Sequence, residues 1–319
     1  MPDIVIMFFV LGLFGGIAKS DLKVPQAAYD TLSILLMLTL GLKGGLALHG
    51  NVNWALLPEV IAIILLGSLI PLVLFPVLTR AVGLSTANAA SLAAHYGSAS
   101  AGTFAVALAY AEFRGLPVAP QTTLYLVLLE LPAIIVGILL HRRMSQKNTE
   151  PKNHNQNSAA SMWHEALTSK GVLLLVGGVI IGFIYGPEAS QSVTSVFVGA
   201  FKALLALFLL EMGRCASLYL YPLPIKHWKV AVFAVCAPLV LSFVGMFIGM
   251  TLQLPTGTIL IVATLAASSS YIAAPAAIGS AIKEADIGLA VFASLGVTFP
   301  FNVLIGIPLY WQFMQWFTL

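Results

Sequence analysis

The sequence predicts an all-α polytopic membrane protein with about ten transmembrane helices, and three observations support this fold class. The chain is 59% hydrophobic and only 8% charged, whereas about a quarter of the residues in a soluble domain are charged. Long apolar runs, separated by short loops, have the length that a helix needs to cross a bilayer. The alternating ten-residue strands of a membrane β-barrel do not occur.

The apolar runs define the predicted spans and divide the chain into halves. The spans cover residues 3–18, 28–48, 54–79, 86–112, 120–141, 170–186, 193–220, 228–252, 255–282 and 286–316. The fourth and ninth spans are rich in Ser, Gly and Ala, and we expect both helices to be broken. A polar, Asn-rich segment without periodicity lies between the halves. The chain therefore divides into a first five-helix repeat (1–141), a cytoplasmic linker (142–169) and a second five-helix repeat (170–319).

The two halves share short motifs in the same order. The motif "IPLVL" at 70–74 recurs as "APLVL" at 237–241, and "AAHYGSASAG" at 93–102 falls opposite "AASSSYIAAP" at 266–275. An odd number of spans in each half places the two copies in opposite orientations. This arrangement is the 5+5 inverted repeat that is typical of secondary transporters.

Loop charges predict the orientation in the membrane. The loops after the odd-numbered spans carry Lys19, Lys23, Arg80, Arg142, Arg143, Lys147, Lys152, Lys170, Lys226, Lys229 and Lys283. The loops on the other side carry only Arg114. Because cytoplasmic loops are enriched in Lys and Arg, we expect a multi-pass protein of the cell (inner) membrane with both termini outside and the central linker in the cytoplasm.

The two unusual spans predict a binding site near the middle of the bilayer. We expect Pro275 to break the ninth helix just after serines 268–270, while Gly97 and Gly102 flank the weak point at 98–100. Backbone groups freed at this depth must be satisfied inside the protein or in a cavity. Half-helix N-termini would face an anion, and serine hydroxyls would suit Na⁺. The alternative is that these small residues only pack helices together.

Polar residues beside two prolines are further candidates for ion binding or coupling. Glu130 lies two residues before Pro132, and a carboxylate at membrane depth is costly and usually functional. It could ligate Na⁺, carry a proton or cap the backbone freed by the proline. Thr298 and Asn302 are its counterparts beside Pro300 in the second half.

Other ionisable residues leave alternatives open. Lys43 could neutralise an anion, extend to the interface or pair with an acid. His95 could donate to an anion, respond to pH or be a packed, hydrogen-bonded histidine. Glu211 and Arg214 are three residues apart on one helix face, which predicts an internal ion pair. Tyr271 is a candidate to line the same cavity as the serines.

Several motifs together resemble the sodium-dependent bicarbonate transporter family, whose best-known members are cyanobacterial bicarbonate permeases. These motifs are "AASSSYIAAPAAI", "SLGVTFPFNVLIGIPLY", "LTLGLKGGLAL", "YGSASAGTFAVAL" and "LLELPAIIVGILL". The resemblance implies ten helices in a 5+5 inverted repeat with core and gate domains, and Na⁺-coupled uptake of a small anion by an elevator-like movement. It also implies a homotrimer and, in some members, inhibition by a PII-like protein at the cytoplasmic face.

The resemblance also implies site residues, because the family holds its substrate at two crossing broken helices. Carried over to this chain, the substrate-binding residues are Gly97, Ser98, Ser100, Ser268, Ser269 and Ser270, and we expect Tyr271 to line the same site. Na⁺ is expected at Ser98, Ser269 and Glu130. Tyr271 stands where the cyanobacterial members have an acidic residue, and this difference could change the coupling ion or the anion accepted.

The favoured function is therefore Na⁺-coupled symport of a small anion, most concretely bicarbonate, by alternating access. The alternatives are a proton-coupled carrier or cation/proton antiporter that uses Glu130, and transport of a different small organic anion. The sequence has no P-loop, no G-x-S-x-G elbow and no H-E-x-x-H motif, so we do not expect an enzyme. We expect no cofactor besides Na⁺ as the coupling ion, and no nucleic-acid partner, because the positive charges are spread over short loops.

Overall fold

The computed structural model describes residues 4–50, 54, 56–146, 170–220 and 225–318. These residues form helices and no strand. Six of the described helices are long and apolar enough to cross a membrane. The described part of the chain therefore has the all-helical architecture of a polytopic membrane protein, as the composition predicts.

The helices follow one another with short connections. In chain order they are α1 (Ile4–Ile17), α2 (Gln26–Leu48), α3 (Leu56–Val77), α4 (Thr86–Gly97), α5 (Ala101–Phe113), α6 (Thr122–Gln146), α7 (Lys170–Leu220), α8 (Trp228–Thr251), α9 (Thr256–Ala266), α10 (Ala273–Ala281), α11 (Ile287–Val291), α12 (Phe299–Phe301) and α13 (Ile307–Thr318). Most of the predicted linker, residues 147–169, lies outside the described residues.

A sharp kink divides α7 into two arms, residues 170–185 and 187–220. Gly186 has a φ of 65° and a ψ of 178°, and Pro187 follows it. A positive φ is readily adopted by glycine. The ring of His49 packs against Gly186, so a Cβ at that position would collide with it. The two arms correspond to the predicted spans 170–186 and 193–220.

The last span contains two widened, π-helical turns. They cover Phe292–Thr298 and Asn302–Gly306, on either side of α12. Each turn comes shortly before a proline, Pro300 or Pro308, whose missing N–H disturbs regular helix bonding. These turns set the positions of Thr298 and Asn302.

Glycine seams join α1 and α2 to the two arms of α7. A Cβ at any of the seam glycines would collide with the backbone or a side chain of the facing helix. The seam between α1 and the second arm contains Gly12, Gly16 and Gly213, and the seam between α2 and the first arm contains Gly41, Gly45, Gly178 and Gly182. Small residues four apart allow helix backbones to approach closely in a membrane. We call this body, made of α1, α2 and α7, the glycine-seam body.

The same body contains the predicted internal ion pair. Arg214 Nε donates to Glu211 Oε2 at 2.9 Å, and the backbone N–H of Val24 donates to the same oxygen at 3.2 Å. The ion-pair prediction for Glu211 and Arg214 is confirmed. The carboxylate therefore joins the loop between α1 and α2 to the second arm of α7.

The remaining helices form a second body, which we call the break body. Helix α3 packs on α4 and α6, while α9 packs on α8 and α5. At its centre lie the two interruptions, one between α4 and α5 and one between α9 and α10. They fall within the predicted fourth and ninth spans, which hold the small, polar residues.

Candidate functional site

The first interruption, residues 98–100, separates α4 from α5. Gly97 is the last residue of α4, and a Cβ there would collide with Pro71 and Ala133. Ser98 and Ser100 have extended backbones, with ψ of 123° at both residues. The Ser100 hydroxyl accepts from the N–H of Thr103 at 3.2 Å and so caps α5. The serine thus starts a new helix in the middle of the body.

The second interruption, residues 267–272, separates α9 from α10. The three serines lie inside this interruption, and the Ser270 hydroxyl accepts from the N–H of Ala274 at 3.2 Å. The prediction that Pro275 breaks the helix is wrong, because Pro275 is the third residue of α10. A proline in the first turn removes an N–H that has no helical partner anyway. Pro275 therefore belongs to the start of the second half-helix.

Two hydrogen bonds join the interruptions where they cross. The N–H of Ser270 donates to the carbonyl of His95 at 2.8 Å. The N–H of Ser100 donates to the Ser268 hydroxyl at 3.1 Å, and that hydroxyl donates to the Leu265 carbonyl at 2.8 Å. Backbone groups freed by one interruption are thus satisfied by the other, as membrane depth requires.

A small cavity of about 20 Å³ lies beside the crossing, which is room for one water molecule or one bare cation. It is lined by Met37, Ala99, Ser100, Ala101, Leu126, Glu130, Leu175, Ser270, Tyr271, Ile272 and Ala273. The first residues of α5 and α10 are among them, so two helix N-termini meet here. Their first-turn N–H groups and dipoles favour negative charge.

Glu130 supplies the charged group of the cavity lining. Its side chain is buried, with 8% exposure. Among the described residues, no cation and no hydrogen-bond donor pairs with this carboxylate. A buried carboxylate without a partner is costly, and a bound cation or a proton would relieve that cost.

Thr298 uses its hydroxyl for the backbone of a neighbouring helix. It donates to the Ala234 carbonyl at 2.7 Å, which is the carbonyl that Pro238 leaves without its helical donor. Since its proton is used there, the Tyr96 hydroxyl must be the donor in its 2.6 Å contact with Thr298. An ion-binding role for Thr298 would require these bonds to be exchanged.

Asn302 and Lys43 also have partners away from the cavity lining. Asn302 Nδ2 donates to the Ala267 carbonyl at 2.8 Å, and its Oδ1 accepts from the Tyr310 hydroxyl at 2.7 Å. Lys43 Nζ lies 2.7 Å from Glu112 Oε1 and 4.5 Å from the centre of the Phe201 ring. Of the alternatives for Lys43, the structure thus shows the pairing with an acid.

Tyr271 closes the cavity against aromatic residues. Its ring packs edge-on against Phe299, with centroids 5.1 Å apart. Its hydroxyl contacts Gly102 in the first turn of α5, so a Cβ on Gly102 would displace it. The hydroxyl lies beside Ser100 without a hydrogen bond of good geometry to any described residue. Tyr271 therefore brings a neutral polar group to the place where the resemblance implies an acid.

Three further predicted site residues have polar atoms that no described residue satisfies. They are His95 Nε2, Ser98 Oγ and Ser269 Oγ, all fully enclosed. Buried polar atoms normally have partners, so an exception needs an explanation. The crossing thus combines satisfied backbone groups with unsatisfied side chains.

The sequence analysis missed three features of the site. It did not identify Met37 and Leu175, which bring the glycine-seam body to the cavity, and it did not single out Ser91, whose hydroxyl is also buried without a described partner. The glycine spacing at 41–45 and 178–182 was the available signal for the close approach of α2 and α7. No local pattern marks Met37 or Leu175 as cavity residues.

A comparison with known protein families identifies the family of this chain. A search against individually curated proteins found no match. The family model described as "Na+-dependent bicarbonate transporter superfamily" matches residues 4–315. This match covers nearly the whole chain, including both bodies and both interruptions. The protein is therefore a membrane transporter rather than an enzyme, and the chain belongs to the Na⁺-dependent bicarbonate transporter superfamily.

Proposed function

We propose that the protein is a Na⁺-coupled symporter of a small oxyanion, most concretely bicarbonate, and that the crossing of the two interruptions is its binding site. One observation carries this proposal. Two helix N-termini and an unpaired carboxylate, Glu130, border the same small cavity. The N-termini suit an anion, and the carboxylate suits a cation.

The anion would bind to the first turns of α5 and α10. Ala101 and Ala273 are the first residues of these helices, and both line the cavity. Their N–H groups have no intrahelical partner. The predicted substrate residues Gly97, Ser98, Ser100, Ser268, Ser269, Ser270 and Tyr271 all lie at or next to the interruptions. We propose that they surround the anion.

The cation would neutralise Glu130. Na⁺ prefers oxygen ligands, and the cavity lining offers the Glu130 carboxylate and the hydroxyls of Ser100 and Ser270. The predicted Na⁺ residue Ser98 lies two residues before Ser100, and Ser269 lies directly before Ser270. Their hydroxyls have no described partner. Binding the cation beside the anion would offset part of the cost of placing either charge at membrane depth. The cavity has room for one small ion, so we propose that it widens when both bind.

Alternating access would follow from sliding of one body against the other. The cavity has walls from both bodies, with Met37 and Leu175 on the glycine-seam side and Glu130 on the break side. We propose that the glycine-seam body is the gate domain and the break body the core domain of a 5+5 inverted repeat. Each body takes helices from both halves of the chain, which supports this assignment.

The surroundings of the transporter are proposals from the resemblance and from the loop charges. We propose a homotrimer in the cell membrane, with both termini outside and the linker in the cytoplasm, where a PII-like protein could act. The strong bias of Lys and Arg to one set of loops supports this orientation. Na⁺ would be the coupling ion, and no other cofactor is proposed.

Proton coupling is the second candidate, because Glu130 also fits it. A buried carboxylate with no described partner can be neutralised by a proton as well as by a cation. In this case the protein would carry its anion with H⁺, or exchange a cation for H⁺. Uptake in Na⁺-free buffer at several pH values separates the two: full uptake without Na⁺ would rule out Na⁺ coupling.

The decisive experiment is uptake of radiolabelled bicarbonate into proteoliposomes with and without an inward Na⁺ gradient. We expect Na⁺-dependent uptake by the natural protein and a loss of about tenfold or more in a Ser269→Ala, Ser270→Ala double variant. Ser242→Ala is the matched control, because Ser242 is buried on α8 and bonds only to its own helix at Leu239. Equal uptake by the double variant and the control would contradict the site.

A further inference from the structure

Besides the Tyr271 hydroxyl, four buried polar atoms in α4 and at the two interruptions have no partner among the described residues. They are Ser91 Oγ, His95 Nε2, Ser98 Oγ and Ser269 Oγ. The first three residues are 0% exposed and Ser269 is 2% exposed. Because a polar atom enclosed in this way must find a hydrogen bond to avoid its desolvation cost, these atoms are available to a bound ligand or water.

The four atoms belong to one small region. Ser91, His95 and Ser98 are spaced by four and three residues, so they share one side of the end of α4. The N–H of Ser270 donates to the His95 carbonyl at 2.8 Å, which places Ser269 at the same crossing. Ser98 and Ser269 each directly precede a residue of the cavity lining, Ala99 and Ser270. The unsatisfied region therefore adjoins the proposed substrate site.

The hydrogen bonding of His95 determines which of its nitrogens carries the proton. Nδ1 lies 2.7 Å from the carbonyl oxygen of Ser91, and a carbonyl can only accept, so Nδ1 is the donor. The ring is completely buried, and no charged described residue contacts it. A neutral imidazole that donates from Nδ1 has only a lone pair at Nε2. The unsatisfied nitrogen therefore needs a hydrogen-bond donor.

We propose that His95 is a specificity-determining residue, whose Nε2 accepts a hydrogen bond from the hydroxyl group of the transported oxyanion. This inference rests on the proposed function. Serine hydroxyls and helix N-termini can donate to the oxygens of any small oxyanion, so they do not distinguish one from another. Among small oxyanions, only one that carries its own O–H can donate a hydrogen bond to Nε2. The site therefore favours a hydrogencarbonate-type anion over nitrate, which has the same charge and planar shape but no hydrogen.

The proposal is tested by competition in the proteoliposome uptake experiment. Unlabelled bicarbonate and nitrate compete with radiolabelled bicarbonate, and the ratio of their inhibition constants measures the selectivity. His95→Asn keeps a donor near Nδ1 but has no atom at the Nε2 position, and we expect it to reduce the selectivity about tenfold. His95→Gln places an amide oxygen near the Nε2 position, and we expect it to retain most of the selectivity.

Tyr96→Phe is the control, because Tyr96 is the adjacent buried residue and its hydroxyl bonds to Thr298 rather than to the crossing. We expect this variant to leave the selectivity ratio unchanged, even if uptake falls. A His95→Asn variant that weakens bicarbonate and nitrate equally would show a merely structural role and overturn the proposal. Absence of bicarbonate uptake by the natural protein would instead contradict the proposed function itself.

A second measurement needs no variant. The midpoint of thermal unfolding of the natural protein in detergent is measured with Na⁺ and increasing bicarbonate or nitrate. We expect bicarbonate to raise the midpoint at concentrations about tenfold lower than nitrate requires, since a ligand that binds the folded state stabilises it in proportion to its affinity. Equal stabilisation by the two anions would overturn the role of His95, whether or not the variants fold.

Discussion

Glu130 and Thr298 occupy similar local positions and have opposite surroundings. Each lies two residues before a proline in a buried helix of the break body. Thr298 donates to the carbonyl that Pro238 frees at Ala234, and it accepts from Tyr96. Glu130 has no partner among the described residues and borders the cavity. A polar side chain beside a proline is thus structural in one place and available to a ligand in the other.

The second interruption has such a structural partner too. Residues 267–272 are held by Asn302, which donates to the Ala267 carbonyl and accepts from the Tyr310 hydroxyl. Glu130 lines a cavity that both interruptions border, and its carboxylate makes no such bond.

The largest expected effect is that of Glu130→Gln. This variant keeps the shape of the side chain and removes its charge, so a bound cation loses its charged ligand. We expect Na⁺-dependent uptake into proteoliposomes to fall about 100-fold, with no loss of thermal stability in detergent, because an unpaired buried charge is removed. Uptake within a factor of two of that of the natural protein would contradict the role of Glu130 as a cation ligand, since Glu130 would then be structural, like Thr298.

Thr298→Val should have the opposite effects to Glu130→Gln: lower stability and an unchanged Na⁺ dependence of uptake. The variant keeps the shape but leaves the Ala234 carbonyl and the Tyr96 hydroxyl without their partner. We expect the free energy of unfolding to fall by about 1–3 kcal/mol, measured by thermal or denaturant unfolding in detergent, while the Na⁺ dependence of the remaining uptake is unchanged. An altered Na⁺ affinity would instead support the predicted coupling role of Thr298.

Ser100 and Ser270 allow a similar comparison between the two interruptions, with smaller expected effects. Ser100 is the N-cap of α5, and Ser270 lies two residues before the N-cap of α10; each hydroxyl accepts from a first-turn N–H at 3.2 Å. We expect Ser100→Ala and Ser270→Ala to lower the free energy of unfolding by about 1 kcal/mol each. Both serines line the cavity, so uptake should fall in both variants. A Ser270 variant with full uptake would restrict the anion site to the first interruption.

The smallest expected effect concerns Lys43 and Glu112. Their ion pair is partly exposed, with side-chain exposures of 21% and 35%, and such pairs contribute about 0–1 kcal/mol. We expect Glu112→Gln to leave bicarbonate uptake and its Na⁺ dependence unchanged. Lys43→Met serves as the matched variant on the other side of the pair. A loss of uptake in Lys43→Met alone would restore Lys43 as a candidate for neutralising the anion.

The sequence by itself determined the membrane class, the long apolar helices, the helix breaks within spans four and nine, and the place of Glu130 inside a long apolar helix. These features follow from composition and from contiguous residues: apolar runs need lipid, and runs of small and polar residues weaken a helix locally. The internal pair of Glu211 and Arg214 was predictable for the same reason, because its partners are three residues apart.

Only the tertiary structure shows which polar groups are already hydrogen-bonded and which have no partner among the described residues. Thr298 and its acceptor Ala234 are 64 residues apart in the chain, and Asn302 and its acceptor Ala267 are 35 apart. Pro275 begins a helix rather than breaking one because the serines before it bond across the crossing. A hydrogen bond depends on atoms meeting within about 3 Å in space, and spacing along the chain does not reveal such meetings between distant segments.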